Sequence, residues 1–272
     1  MEPVGTLYTL TKPILHPRAR LVFSPFPTSP LPPFPSLLPL SPSLTNTPIQ
    51  SLTIASLTNQ HLSLPPFAFG TDNHSPSYLA KFPLGKIPAF EGADGFLLTE
   101  SNAISQYLAD IAPDPAHRAQ ILGGTPAERA LIQQWLWFSQ QHLEPALTPL
   151  CLWRFGDARW GKYEEEKEKK AEEELRRWLG YLEEEVKKRE KEGGRKWLAG
   201  TERVSLADLA VCGSLYAGFL LYIDEEMREE YPGVVGLYER LLREVEEARE
   251  FYELEGKWVK VRKQPPGEGE RV

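Results

Sequence analysis

Lys81–Ile104 reads KFPLGKIPAFEGADGFLLTESNAI. Two β-prone runs, Ile87–Phe90 and Phe96–Thr99, flank Ala93-Asp94-Gly95, and a glycine turn between such runs signals a hairpin. A proline, Pro88, stands at the head of the first run, where the missing N–H costs a sheet least. The second run ends on Glu100-Ser101, and from Ser101 onward Ile104, Tyr107 and Leu108 recur at helical spacing. The stretch therefore predicts a hairpin with a proline at one end and a polar helix start at the other.

Toward the N-terminus, Thr6–Leu10 (TLYTL) predicts a first strand and Leu62–Leu64 a second, ended by Pro65-Pro66. Ser75 with Pro76 predicts a capped helix start. Ser51–Leu57 reads as a helix body. The order is β-α-β-α-β-β-α. One run departs from it: residues 21–50 hold nine prolines and no Asp, Glu, Lys or Arg. Proline at that density forbids helix and central strand, so the run predicts an extended insertion. Its PxxP spacings, Pro27–Pro30 and Pro30–Pro33, lack a close basic neighbour. Pro17-Arg18-Ala19 resembles a helix start that the insertion separates from its body, as a retained intron would; sequencing the transcript decides between that and a genuine loop.

Toward the C-terminus, Pro113-Asp114-Pro115 predicts a break, and residues 113–124 a linker between a first domain (1–112) and an all-helical second (125–258). Thr125-Pro126-Ala127-Glu128 is a capping box. Leu175, Trp178, Leu179, Leu182 and Val186 form one apolar stripe in a charged segment, 163–191, whose charges read as a solvated face. Val204–Leu209 (VSLADL) predicts a second box, with Ser205 and Asp208 as reciprocal caps between Val204 and Leu209, opening a nearly apolar helix to about Leu221. Residues 259–272 read as a disordered tail.

The chain has 272 residues, 41% hydrophobic and 25% charged, enough for a sizeable core. A net charge of −7 argues against a nucleic-acid partner. Two cysteines, Cys151 and Cys212, make neither a disulfide scaffold nor a metal or CxxC site, so no metal is expected. The N-terminus lacks the basic start and apolar core of a signal peptide, and no proline-free apolar run is long enough to span a bilayer. A cytoplasmic location follows, with no membrane partner.

A βαβαββα domain followed by helices with a Ser-Leu-Ala-Asp cap resembles the glutathione transferase family. Ile87-Pro88, Glu100-Ser101 and Ser205–Asp208 carry the likeness. Within the family the sequence is most similar to the transferase-like domain of the gamma subunit of translation elongation factor 1, through Gly5–Thr9, Leu64–Gly70, Phe82–Phe96 and Thr99–Ile104. The resemblance implies an N-terminal thioredoxin-like domain and an all-helical second domain, a homodimer, and glutathione as co-substrate. It implies a cis Ile87-Pro88 bond, with the Ile87 main chain facing the cysteinyl unit. Ser101 would hold the γ-glutamyl carboxylate, Glu100 the ammonium, and Lys86 the glycyl carboxylate. A bland alternative stands beside this: the cis-proline loop and capped helix are also structural parts of a thioredoxin-like fold.

The family activates the glutathione thiol near the end of the first strand. Here that region offers Thr11 and His16, or main-chain amides beside Arg18; Tyr8 lies inside the strand, where packing is its better role. The acceptor would lie against aromatics among Trp135, Trp153, Phe155 and Trp160, of which Trp135 reads better as core. Two functions follow from the resemblance: an enzyme whose glutathione thiolate attacks an electrophilic small molecule or assists elimination from it, for detoxification or a dedicated biosynthetic pathway, or a non-catalytic scaffold module that binds translation elongation factor subunits. The lysine-rich linker and further domain expected of the scaffold do not follow in this sequence, which tilts the reading to the enzyme.

Overall fold

The computed structural model describes residues 3–9, 49–155, 162–191, 193, 197–254 and 257–262. The first half runs β1 (Gly5–Tyr8), α1 (Ile49–Leu57), β2 (Leu62–Ser63), a 3-10 turn at Asp72–His74, α2 (Pro76–Lys81), β3 (Ala89–Gly92), β4 (Leu97–Thr99) and α3 (Ser101–Asp110). The sheet order is β2-β1-β3-β4, with β1 parallel to β2 and the other pairs antiparallel. This is the thioredoxin-like βαβαββα domain.

Alternation along β1 decides its two faces. Leu7 and Thr9 are buried, and Leu7 joins Ile54, Phe90, Ile104 and Leu108 in a core that continues into the helical half. Tyr8 points the other way, onto a smaller cluster of Tyr78, Phe82, Ile87 and Ala89. Glycine is needed at position 5 because a Cβ there would run into the Phe90 ring. Gly95, at φ 82°, makes the hairpin turn. Ser75 caps α2, accepting the Tyr78 N–H at 3.3 Å.

The second half is helical: α4 (Pro115–Leu122), α5 (Pro126–Phe138), a π-turn (Ser139–Leu143), α6 (Glu144–Phe155), α7 (Glu165–Lys191), α8 (Leu206–Leu221), α9 (Glu225–Glu230), α10 (Pro232–Glu244) and α11 (Glu246–Tyr252). The Thr125 box at α5 forms as expected. At α8, Asp208 Oδ2 accepts from the Ser205 N–H at 2.9 Å and the Ser205 hydroxyl at 2.8 Å. Asp208 Oδ1 also takes the Leu198 N–H at 2.8 Å, a partner the local pattern does not reveal. Nearly every residue from Leu206 to Phe219 is buried, which makes α8 the central helix. Among the described residues, no helix is long and apolar enough to cross a membrane.

Four expectations need correcting. Ile49 and Gln50 belong to α1 rather than to the insertion, and Gln50 is fully buried. The 113–124 linker contains α4: Pro115 sits at the first helical position, where no N–H is needed, and Asp114 accepts the Ala116 N–H at 2.8 Å. Residues 259–262 are not a loose tail. The Val259 N–H bonds the Phe219 carbonyl, and Arg262 pairs with Asp224 at 2.7 Å and Glu172 at 2.9 Å. Finally, the charges of α7 are not all solvated. Glu183 is buried and accepts the Gly233 and Val234 N–H groups at 3.0 and 2.8 Å, capping α10 from another helix.

Candidate functional site

Register builds the site. Ala89, first in β3, pairs with Thr99, last in β4, and also with Tyr8 at the end of β1. Paired residues of antiparallel strands lie about 5 Å apart. The residues just before β3 (Lys86, Ile87, Pro88) therefore abut those just after β4 (Glu100, Ser101) and after β1 (Thr9). Residues far apart in sequence meet at one corner of the sheet.

The Ile87-Pro88 bond is cis. Its loop is anchored from behind: the Tyr78 hydroxyl donates to the Lys86 carbonyl at 2.6 Å, and Asn73 Nδ2 to the Gly85 carbonyl at 2.7 Å. Among the described residues, no hydrogen bond closes on the Ile87 amide or carbonyl. Glu100 has φ 71°, a left-handed conformation strained for a residue with a side chain. It turns the chain so that Ser101 begins α3. Among the described residues the Ile104 N–H is the first in that helix to find a partner, the Glu100 carbonyl at 2.9 Å. The amides of Ser101, Asn102 and Ala103 thus face outward at the positive end of the helix dipole.

The charged groups are arranged around this corner. Lys86 and Glu100 are exposed, and Ser101 is half-buried. His74 was not foreseen. Asn73 ties its segment to Gly85, and Nδ2 of Asn73 lies 3.3 Å from Nε2 of His74, so exposed His74 stands on the same rim as Lys86. Its only sequence signal is its place immediately before the Ser75 cap. The Thr9 hydroxyl is buried at the same corner with no partner among the described residues.

Tyr8 packs, as read. Its ring lies 5.7 Å from Tyr78 and 5.8 Å from Phe82, and its hydroxyl donates to Glu91 at 2.8 Å, beside Lys81. Burial and the Glu91 carboxylate raise its pKa, so the phenol stays protonated. Thr11, His16, Arg18 and Trp160 lie outside the described residues, as does the Phe155 side chain. Trp135 is core: its indole donates to the Leu198 carbonyl at 3.0 Å. Trp153 is also buried, edge-on to Tyr163. Neither lines an open acceptor surface. Burial pushes the Cys151 thiol up to about 12 and raises that of Cys212 too, so both are inert.

Residues 59–110 match the model of the glutathione S-transferase N-terminal domain, and residues 135–244 that of the C-terminal domain. The glutathione S-transferase-like protein LUC7 of Fusarium sp is 39% identical over 201 residues, 74% of this chain and 85% of that protein. The chain belongs to the glutathione S-transferase family. Elongation factor 1-gamma of Sus scrofa is 37% identical over 172 residues, 63% of this transferase-like chain but only 36% of that protein. The solved GST-like domain of elongation factor 1-gamma from Saccharomyces cerevisiae superposes with a TM-score of 0.62 at 22% identity. It covers 82% of this chain and 97% of that one, a likeness of fold. This glutathione S-transferase-like chain therefore carries the two-domain architecture of its family, with the cis-proline corner in the first domain.

Proposed function

We propose that the chain is a glutathione transferase of the cytoplasm, acting as a homodimer on an electrophilic small molecule. One observation carries the reading: the cis Ile87-Pro88 loop, whose Ile87 main chain has no hydrogen-bond partner among the described residues, abuts the α3 start, whose first amides likewise have none. The cysteinyl unit of glutathione pairs with the Ile87 main chain like an added edge strand. The γ-glutamyl carboxylate takes the Ser101 hydroxyl and the first-turn amides, where the dipole favours an anion. Glu100 holds the ammonium, and Lys86, with His74 beside it, faces the glycyl carboxylate.

A thiol with a pKa of about 8.5 is mostly protonated at neutral pH, so the site must favour the thiolate. Thr11, His16 or the amides beside Arg18 would do this. The thiolate sulfur then attacks an electrophilic carbon and forms a C–S bond. The displaced group leaves with its electron pair, or, in an addition, the acceptor takes up a proton.

The likeness to elongation factor 1-gamma supports a second reading, a non-catalytic module that binds elongation factor subunits. A thermal melt with and without millimolar reduced glutathione separates the two. A ligand at 100 times its Kd adds about 2.7 kcal/mol to the folded state, several degrees for a chain of this size. A cooperative melt with no shift defeats the enzyme reading, and co-purification with elongation factor subunits then establishes the other.

A further inference from the structure

We infer that Gln140, on the helical half, is a positioning residue for the carboxylate end of the tripeptide site, acting through Asn102. This rests on the glutathione reading above.

Asn102 is the second residue of α3, directly after Ser101. Its Nδ2 donates to Gln140 Oε1 at 3.3 Å, and its Oδ1 accepts from Gln50 Nε2 at 3.4 Å. Both neighbours are fixed. Gln50 is fully buried in α1, which is pinned to α3 by the Ser51–Ser105 hydroxyl pair at 2.9 Å. Gln140 lies in the π-turn between α5 and α6, a wide turn of the kind often found at functional sites. That turn is itself held to α8: the Ser139 hydroxyl lies 2.6 Å from that of Ser214 and donates to the Ala210 carbonyl at 3.3 Å. Leu143 at its end is fully buried.

The consequence is an oriented amide. An Asn side chain at a helix start readily turns its carbonyl onto nearby main-chain N–H groups. Here those are the groups a ligand carboxylate needs. Gln140 takes the Asn102 amide nitrogen, which turns the carbonyl toward Gln50 and away from the first turn of α3. The helical half thereby keeps the anion-binding amides of the other half open. Both bonds are long, so neither alone fixes the side chain.

The test is calorimetric titration of reduced glutathione into the full chain and its variants, with apo melting temperatures alongside. Gln140→Met removes the acceptor and keeps the bulk. It weakens glutathione binding about fivefold, the worth of one neutral hydrogen bond, with the apo melt nearly unchanged. With Asn102 already changed to Ala the competing carbonyl is gone, so adding Gln140→Met to Asn102→Ala leaves affinity where Asn102→Ala alone sets it. Gln140→Met binding as tightly as wild type overturns the inference, and so does a further fivefold fall when Gln140→Met is added to Asn102→Ala. Wild type that does not bind glutathione overturns the reading beneath it as well.

Discussion

Two helix starts in this molecule are built to opposite ends. At α8 the carboxylate of the cap is fully committed: Asp208 takes the Leu198 and Ser205 N–H groups and the Ser205 hydroxyl, and is fully buried. At α3 the residue at the cap position, Glu100, is exposed, sits at φ 71° and makes no side-chain capping bond, and the first amides of the helix have no partner among the described residues. A protein gains stability from the first arrangement and forgoes it in the second. The difference separates a start spent on scaffold from one whose first turn is left without a partner among the described residues. Burial raises the Asp208 carboxyl while its three donors pull it down, and the site tolerates this because the cap joins loop 197–205 to the central helix.

The sharpest way to break the comparison is Asp208→Ala. It strands three buried donors and should cost about 3 kcal/mol, more than the roughly 1 kcal/mol of an ordinary exposed cap. Chemical denaturation measures it, and a loss under 1 kcal/mol would show that α8 is not held this way. Glu183→Ala comes next. It uncovers the Gly233 and Val234 amides of α10 and should cost about 2 kcal/mol by the same assay. Ser101→Ala is the counterpart at α3. Apo stability should change by less than about 0.5 kcal/mol while the glutathione-induced rise in melting temperature falls. A large apo loss there would make α3 a structural start like α8.

The smallest effect is a pH dependence in the α/β half. Hydrogen bonds from Lys81 and then Tyr8 lower the pKa of Glu91. Its stabilisation is present above the unfolded carboxyl value of about 4.3 and is lost as pH falls through the lower folded value. Urea midpoints measured from pH 6 down to pH 3 should fall less for Lys81→Met than for wild type. Equal falls would show that the Glu91 pair contributes nothing.

Local chemistry made much of this legible. The hairpin, the Ser75 and Thr125 caps, the Asp208 box and the α7 stripe each depend on residues a few positions apart. The misreadings have the same origin. Pro113 and Pro115 read as breakers because the pattern did not show that Pro115 starts a helix capped by Asp114. Arg262 read as tail because its partners, Asp224 and Glu172, are distant in sequence. Glu183 read as one charge on a solvated face because α10 meets it only in space.

The sequence by itself determined the element order of the first domain and the two-domain class, since turns, caps and periodicity are set by near neighbours. Only the tertiary structure decided that Ala89 faces both Thr99 and Tyr8, which brings Pro88 and Ser101 to one corner. It also decided that Trp135 is core, that His74 shares the rim with Lys86, and that Gln140 reaches Asn102 from the other half. Those outcomes depend on strand register and on helices packing across the sequence, and no local pattern encodes either.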